Sequence, residues 1–317
     1  MTAPVIHVLA GVLRDNDGNV LVAQRPAGKH MAGDWEFPGG KRNEGEVPED
    51  ALSRELEEEL GIRVVDSRPL IRYVHDYPDR RIDLDVWQVE KYEGRPRGRE
   101  GQVIDWVAPG ELMDRGLLPA DRPVVNALTL PHTCLITGHF ETLTEFEKAL
   151  CNALQSEVGM VQIRVPGSAP DRMEALVAVA SPLCRSRKVL LIVNGDSAEL
   201  LTIIERYRLD GLHLPATALM RLKSRPEVDL LGASCHDRDE IMKAQALGAD
   251  YAFLSPVKRT SSHPEATPLG WRGFNSIVSP AAMPVFALGG LCRNDTDAAW
   301  RAGAQGVAGI TGFWKSG

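Results

Sequence analysis

Gly40-x5-Glu46-x7-Arg54-Glu55-Leu56-x-Glu58-Glu59-x-Gly61-Ile62 is the stretch from which the rest of the chain can be read. Glu55, Glu58 and Glu59 stand at i, i+3 and i+4, spacings that share one face of an α-helix. Three like charges on one face repel, so the arrangement calls for a counterion. Glu-x-x-Glu-Glu alone reads as a solvated acidic face, because Glu is common in helices. The full spacing asks for more: glycines before the helix, where the backbone turns tightly or approaches a ligand. A hard divalent cation, magnesium or manganese, takes oxygen ligands and often bridges to phosphate. Pro48 suits a first helical turn and Gly61 a stop, which predicts a helix from about Pro48 to Leu60. Ala51, Leu52, Leu56 and Leu60 supply the apolar stripe opposite the acids.

Outward from that helix, residues 5–130 alternate strands with this one strong helix. Val5–Leu13 and Val20–Gln24 flank Asp15-Asn16-Asp17-Gly18, a hairpin signal. Further strands are expected near Leu70–His75, Ile82–Lys91 and Val103–Val107, an α+β pattern. From about Cys134 the rhythm changes to strand–helix repeats. Expected strands are Leu135–Gly138, Val161–Arg164, Val189–Val193, Gly211–Leu214, Leu230–Ser234, Tyr251–Leu254, Val285–Leu288 and Gly306–Ile310. Helical stretches such as Thr142–Val158, Glu199–Tyr207, Arg238–Leu247 and Asp295–Arg301 separate them. Eight such units in about 180 residues imply a compact (β/α)8 TIM barrel. The expected domains are 1–131 and 132–317, joined at Leu130-Pro131-His132 without a Gly/Ser tether.

At 317 residues two domains are the natural expectation, and a hydrophobic content of 44% supports sizeable cores. A net charge of −7 argues against direct nucleic-acid binding, which wants a basic stripe, but leaves a nucleotide substrate open. No stretch is long and apolar enough to span a bilayer, and the start lacks a signal-peptide pattern. Cys134, Cys151, Cys184, Cys235 and Cys292 are odd in number and lack CxxC spacing, which reads as reduced thiols in a cytoplasmic protein. A homo-oligomer stays open.

The opening pattern resembles the complete Nudix box. The resemblance implies an α/β/α sandwich that hydrolyses a nucleoside diphosphate linked to another group, using Mg2+ or Mn2+. It narrows to the MutT branch, which clears oxidised guanine nucleotides such as 8-oxo-dGTP. Arg25 and His30 precede Glu36-Phe37-Pro38-Gly39-Gly40-Lys41 at the MutT spacing. Tyr77-Pro78-Asp79-Arg80 resembles the branch's Phe-Pro-Asp-Arg, and Gly98-Arg99-Glu100-Gly101-Gln102 its Gly-Lys-Glu-Gly-Gln. Leu118-Pro119-Ala120-Asp121-Arg122-Pro123 resembles its Pro-Pro-Ala-Asn-Glu-Pro.

This likeness assigns the metal to Glu55, Glu58, Glu59 and Glu100, with the Gly39 carbonyl as a further ligand. Glu55 or Glu100 would help deprotonate the attacking water, and Arg54 and Glu46 would brace the loop and helix. Substrate contacts fall to Arg25, His30, Glu36, Phe37, Pro38, Gly39, Arg80 and Asp121, with Arg25 and Arg80 on phosphate or sugar and Phe37 shaping the base pocket. Attack at phosphorus would yield a monophosphate and pyrophosphate. One position departs: Asp121 stands where the branch has its base-reading Asn. An amide donates and accepts, an ionised carboxylate only accepts, and a protonated one does both.

The second half resembles the thiamine-phosphate synthase/TenI barrels through Val161-Gln162-Ile163-Arg164, Leu191-Ile192-Val193-Asn194, Asp210-Gly211-Leu212-His213-Leu214, Gly248-Ala249-Asp250-Tyr251, Leu288-Gly289-Gly290 and the run from Ala302 to Val307. Gly289, Gly290, Gly309 and Thr311 follow the seventh and eighth strands, where barrels bind phosphate through backbone N–H groups. The synthase's own chemistry is eroded. Its Gln-x-Arg-x-Lys loses the lysine after Arg164, its Asn-Asp becomes Asn194-Gly195, and Ala216-Thr217-Ala218 lacks its second carboxylate. His236 and His263 are the remaining proton-transfer candidates near strand ends.

The sequence therefore predicts a MutT-type pyrophosphohydrolase fused to a barrel lacking full synthase activity. The alternative is a thiamine-pathway protein whose Nudix half cleaves a thiamine-type pyrophosphate and whose barrel is an isomerase or a sensor of a thiamine-type phosphate. A third reading makes the barrel a dimerisation platform.

Overall fold

The computed structural model describes residues 5–28, 31–260 and 265–314. The chain divides into two compact units, Met1–Leu130 with Ser279–Met283, and Pro131–Val278 with Pro284–Gly317.

The first unit runs β1 (Val5–Val12), β2 (Val20–Gln24), β3 (Trp35–Glu36), β4 (Gly39–Lys41), α1 (Pro48–Leu60), β5 (Arg63–Asp76), β6 (Arg81–Glu93), β7 (Ile104–Val107) and α2 (Arg122–Thr129). A four-stranded sheet is ordered β4-β1-β6-β5, and a three-stranded sheet β3-β2-β7. Alternation along β1 explains the layers. Leu9 and Leu13 join Leu52, Leu56, Leu60 and Trp87 under α1. Ala10 and Val12 point the other way, into the core that holds Tyr73, Val86, Val124 and Leu128 of α2. This is the expected α/β/α sandwich.

Helix α1 has the bounds the sequence predicts, and its C-cap Gly61 takes the left-handed conformation, φ 70°. Leu52, Leu56 and Leu60 are fully buried, each contributing roughly 2 kcal/mol of apolar burial. Gly11 makes the close approach possible: a Cβ there would lie 2.8 Å from Leu56 Cδ1.

Two expectations need correction. The turn at Asp15–Gly18 forms, with Gly18 N–H on the Asp15 carbonyl at 3.1 Å. It closes only a short antiparallel hairpin, with Arg14 bridged to Val20 and Leu21 N–H on the Leu13 carbonyl at 3.1 Å, before β1 and β2 enter different sheets. Strand β5 also begins at Arg63, seven residues before its expected start. Its polar first half lacks alternation, and Pro69 reads as a breaker. Pro69 is tolerated because β5 is an edge strand.

The second unit is a closed barrel of eight parallel strands: β8 (Thr133–Ile136), β9 (Met160–Ile163), β10 (Leu190–Asn194), β11 (Gly211–Leu214), β12 (Leu230–Cys235), β13 (Tyr251–Leu254), β14 (Val285–Leu288) and β15 (Gly306–Gly309). Pairing of Val307 with Thr133 closes it. Asp210 and Asp250, each just before a strand, accept the N–H of Leu191 and Leu231 in the preceding strand at 2.7 and 2.8 Å. Inside, Gly232 lies in register between His213 and Tyr251. A Cβ there would overlap both rings. Across that gap His213 Nδ1 meets the Tyr251 hydroxyl at 3.1 Å, and Nε2 meets Ser234 Oγ at 2.9 Å. The five cysteines are free thiols, and among the described residues no helix is long and apolar enough to cross a membrane.

Candidate functional site

Arg54 joins the loop after β4 to helix α1. Its Nε and Nη2 donate to the two oxygens of Glu46, both at 2.9 Å, and Nη2 also reaches the Lys41 carbonyl at 3.1 Å. Its Nη1 donates to Glu55 Oε1 at 2.7 Å and lies 3.6 Å from Glu58 Oε2. The bond from Arg54, with a backbone N–H from Asn43, holds the Glu46 carboxyl down at about 2. Glu46 and Arg54 therefore brace loop and helix, as expected.

Glycines bring the loop onto the acidic face. Gly39 N–H donates to Glu59 Oε2 at 3.0 Å. A Cβ on Gly39 would overlap the Leu9 carbonyl, and one on Gly40 would overlap the Glu55 carboxylate. Only glycine allows this approach. Glu58 is the exposed member of the three. Glu100 sits in the 97–102 loop, which is tied to the end of α1: Arg97 N–H reaches the Leu60 carbonyl at 3.0 Å and Arg99 N–H the Glu59 carbonyl at 2.9 Å.

Glu55, Glu58, Glu59 and Glu100 were expected to converge as ligands. Among the described residues no three His, Cys, Asp or Glu side chains form a ready cage for an ion. Like carboxylates repel, and the three on the helix take nearby donors: Arg54 for Glu55 and Glu58, the Gly39 N–H for Glu59. The donor set still fits a hard divalent cation. It offers only oxygen, from carboxylates on one helix face and the loop bonded to that helix.

A second cluster surrounds Asp121, at the end of a 3-10 turn that leads into α2. Asp121 is 4% exposed, and its Oδ2 has no hydrogen-bond partner among the described residues. Burial, then the charge of Glu36, push its carboxyl well above the usual range, with Arg25 opposing. Arg25 donates through Nη1 to Glu36 Oε2. The Tyr77 hydroxyl is pushed up by burial and Asp121, with Arg25, Glu36 and Arg80 also acting on it. Tyr73, fully buried, donates to the Ala120 carbonyl beside Asp121. The structure thus brings Arg25, Glu36 and Asp121 together. Arg80 pairs with Asp79, Phe37 is a core residue, Pro38 offers its carbonyl to Gly11 N–H at 2.8 Å, and His30 lies outside the described residues.

Sequence reading missed Gln102, Tyr73 and Tyr77 as site residues. Tyr77 and Gln102 lay inside quoted motifs, but a motif carries no sign of which side chain bridges two loops. Tyr73 carries no such signal.

In the barrel, Gly289 and Gly290 have φ of 105° and 65° after β14. A Cβ would crowd Pro256 at the first and overlap the Arg259 carbonyl at the second, so both need glycine for packing alone. Gly309 is buried after Ala308, and Thr311 is exposed. Lys258 Nζ pairs with Asp295 at 2.6 Å. Burial pushes His213 down to about 3, so it is neutral within its Tyr251–Ser234 chain. His236 is exposed and meets Glu240 at 2.9 Å. His263 lies outside the described residues.

Comparison with known families fits this division. The NUDIX domain family matches residues 9–127, and the thiamine monophosphate synthase family matches residues 133–313. An 8-oxo-dGTP diphosphatase of Escherichia coli (strain K12) is 38% identical over 123 residues, 39% of this chain and 95% of that protein. A CTP pyrophosphohydrolase of the same organism is also 38% identical over 123 residues, 39% of this chain and 90% of its own length. A thiamine-phosphate synthase of Bacteroides thetaiotaomicron is 28% identical over 182 residues, 55% of this chain and 85% of that protein.

Proposed function

This chain belongs to the Nudix hydrolases over its first domain and to the thiamine monophosphate synthase family over its second, and we propose that the first domain is a magnesium-dependent nucleoside triphosphate pyrophosphohydrolase acting on 8-oxo-dGTP. The observation that carries this reading is the segment 35–40. At one end Glu36 faces Arg25 and Asp121; at the other Gly39 and Gly40 meet Glu59 and Glu55. Four residues of chain span at most about 13 Å, less here because the chain bends at Pro38, so the two clusters lie within reach of one nucleotide. A base held beside this polar cluster would set its phosphates near the acidic helix face.

In this reading a water oxygen attacks a phosphorus within the triphosphate. One phosphoanhydride P–O bond breaks, and a nucleoside monophosphate and pyrophosphate leave. Glu55 or Glu100 takes the water's proton. Arg54 holds Glu55 in place, and Gly39 and Gly40 leave room for Glu59 and Glu55 at the loop. Magnesium, when bound by Glu55, Glu58, Glu59, Glu100 and the Gly39 carbonyl, supplies positive charge that acidifies water and offsets charge on the phosphoryl oxygens.

We place the division of labour at residues 1–131 and 132–317. The barrel would bind a phosphate ligand of thiamine type through Gly289, Gly290, Gly309 and Thr311, without full synthase activity. Gly195 supports the loss: it has no side chain where the synthase has a carboxylate, and its φ of 155° is one that L side chains rarely adopt. The fusion favours one second reading, in which the Nudix half cleaves a thiamine-type pyrophosphate. Product analysis separates them. Magnesium-dependent conversion of 8-oxo-dGTP to 8-oxo-dGMP and pyrophosphate supports the first; release of orthophosphate from thiamine pyrophosphate with 8-oxo-dGTP left intact supports the second.

A further inference from the structure

The loop that carries Glu100 also carries Arg95, Arg97 and Arg99. It is bound along the end of α1. A Cβ on Gly94 would come within 3.0 Å of the Gly61 carbonyl. Arg97 N–H reaches the Leu60 carbonyl at 3.0 Å, and Arg99 N–H the Glu59 carbonyl at 2.9 Å. The backbone of Arg97 therefore sits one helical residue from Glu59, and at most about 10 Å of chain separates it from Glu100.

Cations at a helix C-terminus offset the helix dipole, and α1 has no basic residue in its own last turn. Arg99 fills that role, its Nη1 donating to the Glu57 carbonyl at 3.0 Å. Arg95 and Arg97 are left over. Both are exposed, and among the described residues neither pairs with a carboxylate. Glu93, two residues from Arg95, is taken by Arg63 at 2.6 Å. Most other arginines of this unit are neutralised within the chain: Arg68 by Glu90, Arg72 by Asp83, Arg81 by Asp76 and Arg115 by Asp105.

We propose that Arg95 and Arg97 bind the terminal phosphates of the nucleotide, the part that leaves as pyrophosphate. This rests on the nucleotide reading above. A divalent ion balances only part of the charge on Glu55, Glu58, Glu59 and Glu100, and the remainder repels a polyphosphate. Arg54 does not relieve this, because Glu46 and Glu55 hold its guanidinium. Arg95 and Arg97 do, and they engage an anion without first breaking an ion pair. The planar guanidinium fork matches two phosphate oxygens at once. Positive charge beside the leaving group also offsets what builds there as the P–O bond breaks.

The test compares the full chain with Arg95→Gln/Arg97→Gln and with the charge-retaining Arg95→Lys/Arg97→Lys, all with magnesium. Calorimetry gives the affinity for pyrophosphate and, as a control without terminal phosphates, for 8-oxo-dGMP. In the glutamine pair pyrophosphate affinity and kcat/KM for 8-oxo-dGTP should each fall roughly tenfold to a hundredfold. The affinity for 8-oxo-dGMP and the melting temperature should stay close to wild type, and the lysine pair should keep most of the pyrophosphate affinity. Equal pyrophosphate affinity in wild type and the glutamine pair overturns the inference while leaving the hydrolase intact. So does a lower melting temperature with unchanged pyrophosphate binding, which would confine both arginines to the helix end. A wild-type chain that hydrolyses no nucleoside triphosphate with magnesium overturns the nucleotide reading and this inference with it.

Discussion

Gln102 bonds to both sides of the acidic site through one side chain. Its Nε2 donates to the Glu59 carbonyl at 3.0 Å, and its Oε1 accepts the Glu100 N–H at 2.8 Å. One amide thus sets the loop carrying Glu100 against the last turn of α1, where carbonyls lack helical partners. Gln102→Ala removes both bonds but leaves those from Arg97 and Arg99. Turnover should fall about tenfold to a hundredfold. The magnesium concentration for half-maximal rate should rise, and the nucleotide KM should move less. An unchanged metal dependence would show that Gln102 does not position Glu100.

Gly40→Ala tests the contact between loop and helix. The added Cβ meets the carboxylate end of Glu55, a flexible group, so the fold can yield by moving that side chain. We expect circular dichroism and melting temperature close to wild type, with turnover down by roughly a hundredfold or more. Glu58→Gln and Glu59→Gln should show the same split between a retained fold and lost activity. Near-normal rates in all three would remove these carboxylates from the chemistry.

Asp121 also makes a stability prediction independent of activity. Burial and Glu36 raise its folded-state pKa above the unfolded value. As pH rises, the unfolded chain releases this proton first, so stability is greatest below the ordinary carboxylate pKa. It then declines until the folded pKa is passed. Asp121→Asn abolishes that slope. The melting temperature of the variant relative to wild type should therefore climb from acid to alkaline pH; an offset independent of pH would mean the carboxyl titrates alike in the folded and unfolded chain.

For the barrel, titrating thiamine phosphate into the full chain should raise the melting temperature of its second domain. Gly289→Ala, which crowds Pro256 from a backbone φ of 105° that alanine resists, should abolish the shift. No shift with the wild-type chain would discard the sensor reading and leave the barrel a structural platform.

Periodic features were legible in the sequence. The stripe of Leu52, Leu56 and Leu60 with Pro48 and Gly61 gave helix α1 to its ends, and β11, β13 and β14 stood out as short apolar runs between turns. Non-local choices were not. Whether β2 pairs with β1 or with β7 depends on which core Val20 and Val22 fill, and Asp15-Asn16-Asp17-Gly18 supports a tight turn in either case. Helix α2 went unread because Pro119 and Pro123 look like breakers, although Pro123 sits in the first turn, where it is tolerated. The acidic positions were readable from spacing. The bonds that hold them, from Gln102 and from the Gly39 N–H, join residues far apart in sequence and follow only from the folded chain.

The measurement that bears most directly on the central claim is magnesium-dependent hydrolysis of four substrates side by side, read as pyrophosphate released from 8-oxo-dGTP, dGTP and CTP and as orthophosphate released from thiamine pyrophosphate. CTP belongs in the set because a CTP pyrophosphohydrolase is as similar to this chain as an 8-oxo-dGTP diphosphatase. The account predicts that kcat/KM is largest for 8-oxo-dGTP, with pyrophosphate and the monophosphate as products. A larger value for CTP or thiamine pyrophosphate would contradict it.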